Sequence, residues 1–342
     1  MTRFARLALT LSLGALAVSL AACGGRPADV VLYCAVDRAH SEPIVRAFEE
    51  HTGLKVDFVP DIEASKSVGH RRRLQEEANN PRCDVFWNNE IVQTVLLQEQ
   101  GLLAPYTPQG SEDIPAVFKD PEGYWTAFGA RGRVLIANTE LLPDASSRLT
   151  GMADFLNPER AARAGMAKPL TGTTATHAAW LIADRGLQAT LAQFDAMRAA
   201  GTAFGASNGQ MMRLVRDGEL DFAWTDTDDV RTALAEDYPV VQIVPDQGPG
   251  DDGLLVIPNT VMLIKGAPHP DAAQRLIDYL SSAEVEEMLA HGPSAQIPVR
   301  ASVPRPAHVL ALQDYELAEV DWAAVGRAYA EHGAALDAHF LR

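Results

Sequence analysis

Between residues 30 and 101, apolar segments of strand length alternate with helical ones, and this alternation limits the fold more than any other feature. Residues 30–36 form a short apolar run that reads as a buried strand. Ser41, Glu42 and Pro43 open a helix with the apolar stripe Ile44, Ala47 and Phe48, and Gly53 stops it. Leu54, Val56 and Phe58 alternate as a second strand, and a charged helix follows over about 64–78. Residues 84–87 read as a third strand and 91–100 as a third helix, ended by Gly101. A β-α-β-α-β order implies a parallel sheet with crossover helices. The middle of the chain repeats the idea, with strands at 133–137, 202–204, 222–224 and 240–244 and helices at 187–199, 210–216 and 229–235. A long β-rich stretch over 254–264 precedes amphipathic helices at 271–280 and 283–290 and a helical tail from about 315 to 341. Even without its first 22 residues, the 342-residue chain exceeds one ordinary core, so two α/β lobes are expected.

A leader precedes the first strand. Arg3 and Arg6 stand before an apolar run over 7–20 that ends in Leu20-Ala21-Ala22-Cys23. The run is shorter than the ~20 apolar residues that span a bilayer. A basic start, a short apolar run and small residues before the cut make a secretory signal. Ala-Ala-Cys resembles a lipobox, with Cys23 as the lipidated first residue of the mature protein. Gly24, Gly25, Arg26 and Pro27 then read as a tether, so the protein is expected outside the cytoplasm, held to the cell envelope by a lipid anchor. The net charge is −16, and losing Arg3 and Arg6 makes it −18, from 27 basic and 45 acidic side chains. That argues against nucleic acid and suits cationic ligands. Basic residues 70–73 read as a solvated helix face. Cys34 and Cys83 fall at the end of one strand and the start of a parallel one. At ~3.3 Å per residue they lie roughly 10 Å or more apart, too far to bridge, so two free thiols are expected.

Ordered fragments along the chain carry a resemblance. They are Val31-Leu32-Tyr33, Ala47-Phe48-Glu49-Glu50-His51-Thr52-Gly53-Leu54-Lys55-Val56, Asp84-Val85-Phe86-Trp87, and Gly101-Leu102-Leu103-Ala104-Pro105. Gly129-Ala130-Arg131-Gly132-Arg133-Val134, Asp217-Gly218-Glu219-Leu220-Asp221, Lys265-Gly266-Ala267-Pro268-His269-Pro270-Asp271-Ala272-Ala273 and Gln296-Ile297-Pro298-Val299-Arg300 follow in order. Each is weak alone, but their order and spacing resemble the periplasmic ferric-iron-binding proteins, among the bacterial extracellular solute-binding proteins of ABC importers. The resemblance implies a two-lobed, type II periplasmic-binding-protein-like α/β fold with hinge strands and an interlobe ligand cleft. The hinge would run through about 127–134 and 254–262. The expected division is a signal peptide over 1–22, a tether over 23–29, lobe 1 from 30–128 and 260–310, lobe 2 from 129–259, and C-terminal helices over 311–342. A permease partner, a monomeric state, no catalysis and no catalytic cofactor are implied.

Candidate ligand residues cluster after the predicted strands, the crevice position where α/β sheets bind ligands. In Trp224-Thr225-Asp226-Thr227-Asp228-Asp229, the resemblance puts Asp228 and Asp229 where the ferric family has two metal-ligating tyrosines. Carboxylates bind hard cations through oxygen. The competing reading is helix capping, with Asp226 at the N-cap and the other two in the first turn. Asp37 either faces the cleft or caps the next helix. The family's metal-binding Glu aligns with Asn89, so either Asn89 supplies a carbonyl or Glu90 reaches over, unless Glu90 is a first-turn acid. Thr171, Gly172, Thr173 and Thr174 precede a helix and suit an anion. The resemblance makes that anion a synergistic one, supported by Arg131 and shared with Arg133. His177, Trp87 and Trp224 are candidate cleft-lining residues, with the core as the alternative. The expected cargo is a metal cation, iron foremost or another hard cation. A polyamine or quaternary amine is the second reading, with cation–π contact from Trp87 or Trp224. A metal-dependent phosphatase with Asp226 as nucleophile and Asp228 as acid/base is the third. Over 200 residues precede its Asp-x-Asp motif, which argues against it.

Overall fold

The computed structural model describes residues 27–60 and 66–341. The leader and Cys23 lie outside them. Among the described residues, ten strands form one sheet: β1 (Val30–Cys34), β2 (Val56–Pro60), β3 (Val85–Asn88), β4 (Leu103–Ala104), β5 (Thr126–Asn138), β6 (Ala164–Ala167), β7 (Ala203–Gly205), β8 (Phe222–Asp226), β9 (Val240–Ile243) and β10 (Val256–Ile264). Their order is β2-β1-β3-β10-β5-β8-β6-β7, with β4 on β10 and β9 on β5.

β5 is the key element. At 13 residues it is long enough to serve two sheets. Its first half, up to Gly132, pairs with β10, and its second half, from Arg133, pairs with β8 and β9. Each half of the molecule therefore sets a parallel trio of strands against an antiparallel one, β10 beside β3 in the first half and β5 beside β8 in the second. The first joins β1, β2, β3 and β10 to β5; the second joins β6, β7, β8 and β9 to it. The predicted strand over 133–137 is only the lobe 2 half of β5. Its other half, Thr126 to Gly132, is interrupted by glycines and small residues and carries a weak β signal. β6, Ala-Gly-Met-Ala, carries none, and sequence reasoning misses it. Its glycine has a packing reason: a Cβ on Gly165 would strike Leu220 and Met211.

Local chemistry fixes the helix ends. Gly53 takes a left-handed φ of 70° and returns its N–H to Glu49, ending helix Arg38–Thr52 as expected. That helix begins one turn earlier than predicted, which puts Pro43 inside it. The predicted cap Ser41 is instead buried and donates to the carbonyls of Val36 and Asp37. Helix Lys66–Glu76 is not wholly solvated: His70 is buried against Tyr33 and Phe86, and Arg73 lies 4.3 Å from the Tyr33 ring centroid. Cys34 and Cys83 are both buried, and they form no disulfide. Burial pushes the Cys83 thiol well above its ordinary range.

The C-terminal helix Trp322–Phe340 lies across both lobes. Trp322 and Val325 join a core that also holds Val95 and Leu96 of lobe 1, while Leu336 and Phe340 join Trp180 and Phe194 of lobe 2 in the same cluster. Gly326 fits against Val95, where a Cβ would collide. No described helix is long and apolar enough to cross a membrane.

Candidate ligand-binding cleft

A cleft of about 640 Å³ opens where the strand ends of the two lobes face each other. Lobe 1 contributes Val36, Asp37, His40 and Asn89; lobe 2 contributes Lys168, the Thr171–Thr173 loop, Ser207 to Gly209, Arg213, Asp226, Asp228 and Asp229. Arg131 and Asn259 of the hinge strands also line it. Four helices begin at this cleft, after Asp37, Thr171, Ser207 and Asp226. Their free N–H groups aim partial positive charge at it.

Strand register builds the centre. Arg133 on β5 lies directly opposite Asp226 on β8. Arg131, two residues earlier, shares the face of Arg133. Arg133 is wholly buried, and its Nη1 donates to Asp226 Oδ1 at 2.6 Å. Thr173 Oγ1 donates to Asp226 Oδ2 at 2.5 Å, and Asn208 Nδ2 donates to the same oxygen at 3.0 Å. Thr174 Oγ1 donates to Asn208 Oδ1 at 2.8 Å and accepts from Arg133 at 3.4 Å, closing the network. Despite desolvation, the Arg133 and Arg131 charges hold the Asp226 carboxyl below its ordinary range. Asp226 occupies the N-cap position but makes no capping bond. Its oxygens are spent on Arg133, Thr173 and Asn208, so its side chain does not cap the helix, while Asp228 and Asp229 stand in the first turn as the capping reading expects.

Asp226, Asp228 and Asp229 offer ligand oxygens that lie within 4.8 Å of one another. Arg131 Nη1 stands 3.8 Å from Asp226 and 3.7 Å from Asp228. Asp228 Oδ1 accepts from the Asp229 N–H at 3.1 Å, and Thr225 Oγ1 donates to Asp229 Oδ2 at 2.6 Å. Burial, then the charges of Asp228 and Asp226, push Asp229 up to about 7. Burial and Asp226 also raise Asp228. The trio thus holds more negative charge than its neighbours neutralise, the condition for taking up a cation.

Other candidates fall differently. Asp37 lines the cleft and makes no capping bond. Asn89 lines it too; its main-chain carbonyl accepts from Arg131, which leaves the side-chain amide as the group at issue. Glu90 does not reach over. It is buried and caps helix Ile91–Glu99 through the N–H groups of Val92 and Gln93. It also accepts from Thr176 of lobe 2 at 2.8 Å, so it joins the lobes. Thr171, Gly172 and Thr173 line the cleft, whereas Thr174 and Arg133 stand behind it. Trp87 packs on Phe128 in the lobe 1 core. Trp224 sits between Phe155 and His177, and the buried His177 is held neutral by desolvation and the Arg133 charge. None of these three rings lines the cleft: Trp87 and Trp224 lie before the strand ends, packed in the core clusters of their lobes. No Tyr, Phe or Trp is among the described lining residues.

Sequence reasoning missed His40, Lys168, Ser207, Asn208, Arg213, Asn259 and Gln296. Only Ser207 carried a usable signal, as the cap of helix Asn208–Arg216, where it accepts from Gln210 N.

Two hinged α/β lobes with a polar cleft between them define a ligand-trapping binding protein. The chain belongs to the bacterial extracellular solute-binding proteins, whose family model matches residues 30–292. These are transport components that bind cargo and do not catalyse. Among its relatives, the chain is 23% identical over 318 residues to a major ferric iron-binding protein of Neisseria meningitidis serogroup B, covering 88% of each. It is 27% identical over 261 residues to a putative 2-aminoethylphosphonate-binding periplasmic protein of Salmonella typhi, covering 75% of this chain and 73% of that one. Its fold matches iron-bound HitA of Pseudomonas aeruginosa with a TM-score of 0.79 at 22% identity, over 91% of this chain and 99% of that one.

Proposed function

We propose that this chain is the cargo-binding subunit of an ABC importer, that it is anchored through a lipid on Cys23, and that it captures iron or another hard cation together with an anion. The observation that carries the reading is the under-neutralised trio Asp226, Asp228 and Asp229, set beside the helix start at Thr171. Asp228 and Asp229 take the cation, with Asp37 facing them from lobe 1 and Asn89 offering a carbonyl. Asp226, already bonded on both oxygens, fixes the Thr173 loop in place. The N–H groups near Gly172 and the Arg131 guanidinium take the anion. Closure excludes water, and attraction across the cleft strengthens as the dielectric falls. The names of the ferric-binding relatives support iron. With no tyrosine in the described lining, carboxylate, carbonyl and water oxygens complete the shell, a set that suits hard cations.

A second reading has its own support. Lys168 and Arg213 line the cleft and form no ion pair among the described residues, so the site offers free positive as well as negative charge. A small zwitterion with an ammonium and a phosphonate group satisfies both, as the name of the Salmonella relative suggests. A polyamine or quaternary amine is disfavoured, because neither Trp87 nor Trp224 is available for cation–π contact.

The test is calorimetric titration of the mature protein with ferric nitrilotriacetate plus phosphate, with 2-aminoethylphosphonate, and with spermidine. Ferric ion is expected to bind tightest, and Asp228→Ala with Asp229→Ala is expected to abolish that binding while the circular dichroism spectrum stays unchanged. Normal ferric binding by the double variant would refute the site.

A further inference from the structure

The hinge strands carry a matched irregularity. Pro258 pairs with Ala130 and Thr260 with Ala127, so Asn259 alone on β10 faces two residues, Phe128 and Gly129, on β5. This is a β-bulge, a device that re-aims a side chain. Gly129 adopts a φ of +70°, and a Cβ there would press on Gln296 Oε1 and Leu289. Asn259 is 1% exposed yet lines the cleft, as does Gln296. Its amide is oriented by its surroundings. Nδ2 donates to Gln296 Oε1 and approaches the carbonyls of Phe128 and Gly129 at 3.5 and 3.4 Å. Flipping the amide would set its oxygen against those two carbonyls, so Oδ1 is turned away from them. That oxygen is buried and has no hydrogen-bond partner among the described residues. Leaving a buried acceptor unpaired is costly, and native structures keep such groups for a reason.

We infer that Asn259 is a cargo-reading residue: its Oδ1 accepts a hydrogen bond from bound cargo, either from an ammonium group or from water on a cation. This rests on the cleft being the cargo site, and it narrows the cargo to one that presents a donor at the hinge rather than a bare anion. The bulge holds the acceptor on β10, directly beside β5, the strand that both lobes share.

Wild type, Asn259→Ala and Asn259→Asp are titrated with ferric nitrilotriacetate plus phosphate and, separately, with 2-aminoethylphosphonate. The alanine variant is expected to lose roughly tenfold in affinity for whichever probe binds wild type. The aspartate variant keeps an acceptor but loses the donor to Gln296, and it is expected to bind within threefold of wild type or more tightly. Equal losses in both variants would mean that Asn259 only braces the hinge, and an alanine variant within twofold of wild type would likewise overturn the inference. A cargo-free crystal structure supplies an arm independent of either probe. Oδ1 must be turned toward the cleft with no protein donor, and an Oδ1 satisfied by a protein donor refutes the inference. Failure of both probes on wild type, with Oδ1 facing the cleft, would instead sink the proposed cargoes alone.

Discussion

Replacing Asp229 with asparagine should make the empty protein more stable and a poorer cation binder. Asp229 stands with Asp226 and Asp228 inside a 4.8 Å cluster. Two unit charges at that spacing repel by about 3 kcal/mol at an effective dielectric of about 20. Arg133 neutralises Asp226 and Arg131 is shared between Asp226 and Asp228, which leaves Asp229 as the least compensated member. Desolvation and its two neighbours lift it to about 7. A rise from about 4 to about 7 corresponds to about 4 kcal/mol unscreened. Asp229 is only partly buried at the cleft wall, and solvent screening brings the effect to about 1–2 kcal/mol. The sign follows from linkage. A carboxyl whose folded pKa is raised favours the folded state below about pH 4, and that contribution is lost as pH rises through about 7. The asparagine side chain cannot ionise, so the variant's advantage is full at pH 8 and mostly gone at pH 4.5. Thermal melting without added metal should show Asp229→Asn raised by about 2–5 °C at pH 8. Ferric affinity should fall at least tenfold. A lower melting temperature at pH 8, or the same shift at both pH values, would refute the electrostatic account.

Two further outcomes test the frame around the cleft. Arg133→Met leaves Asp226 buried with neutral hydrogen-bond donors and only the more distant Arg131 charge, and urea unfolding should show a loss of about 3–5 kcal/mol; a loss below about 1 kcal/mol would show that Arg133 is dispensable to the Asp226 network. Gly326→Val drives a branched side chain into Val95 and should cost about 2–3 kcal/mol, with faster amide exchange in helix Trp322–Phe340 as the distinguishing signature.

The aspartates show how far a sequence reaches. Asp226, Asp228 and Asp229 are visible because a strand runs into a helix and the polar residues fall at the junction. Their roles are not visible. Asp226 reads as a ligand or a cap, yet it makes no capping bond and both its oxygens are already engaged, because Arg133 comes opposite it only when β5 and β8 pair. Glu90, one residue from the aligned position, caps its own helix and holds Thr176 across the lobes. Trp87 and Trp224 carry the right chemistry for a cationic guest but point into the two cores.

Alternating apolar runs, helix stops and strand-to-helix junctions determined, from the chain alone, that two α/β lobes form and that polar residues gather at their strand ends, because periodicity and capping act over a few residues. Which side chains share the cleft depends on register between strands up to about 170 residues apart in sequence. Lys168, Arg213 and Asn259 have no local signature, so their place in the site arises only when the lobes fold and face each other.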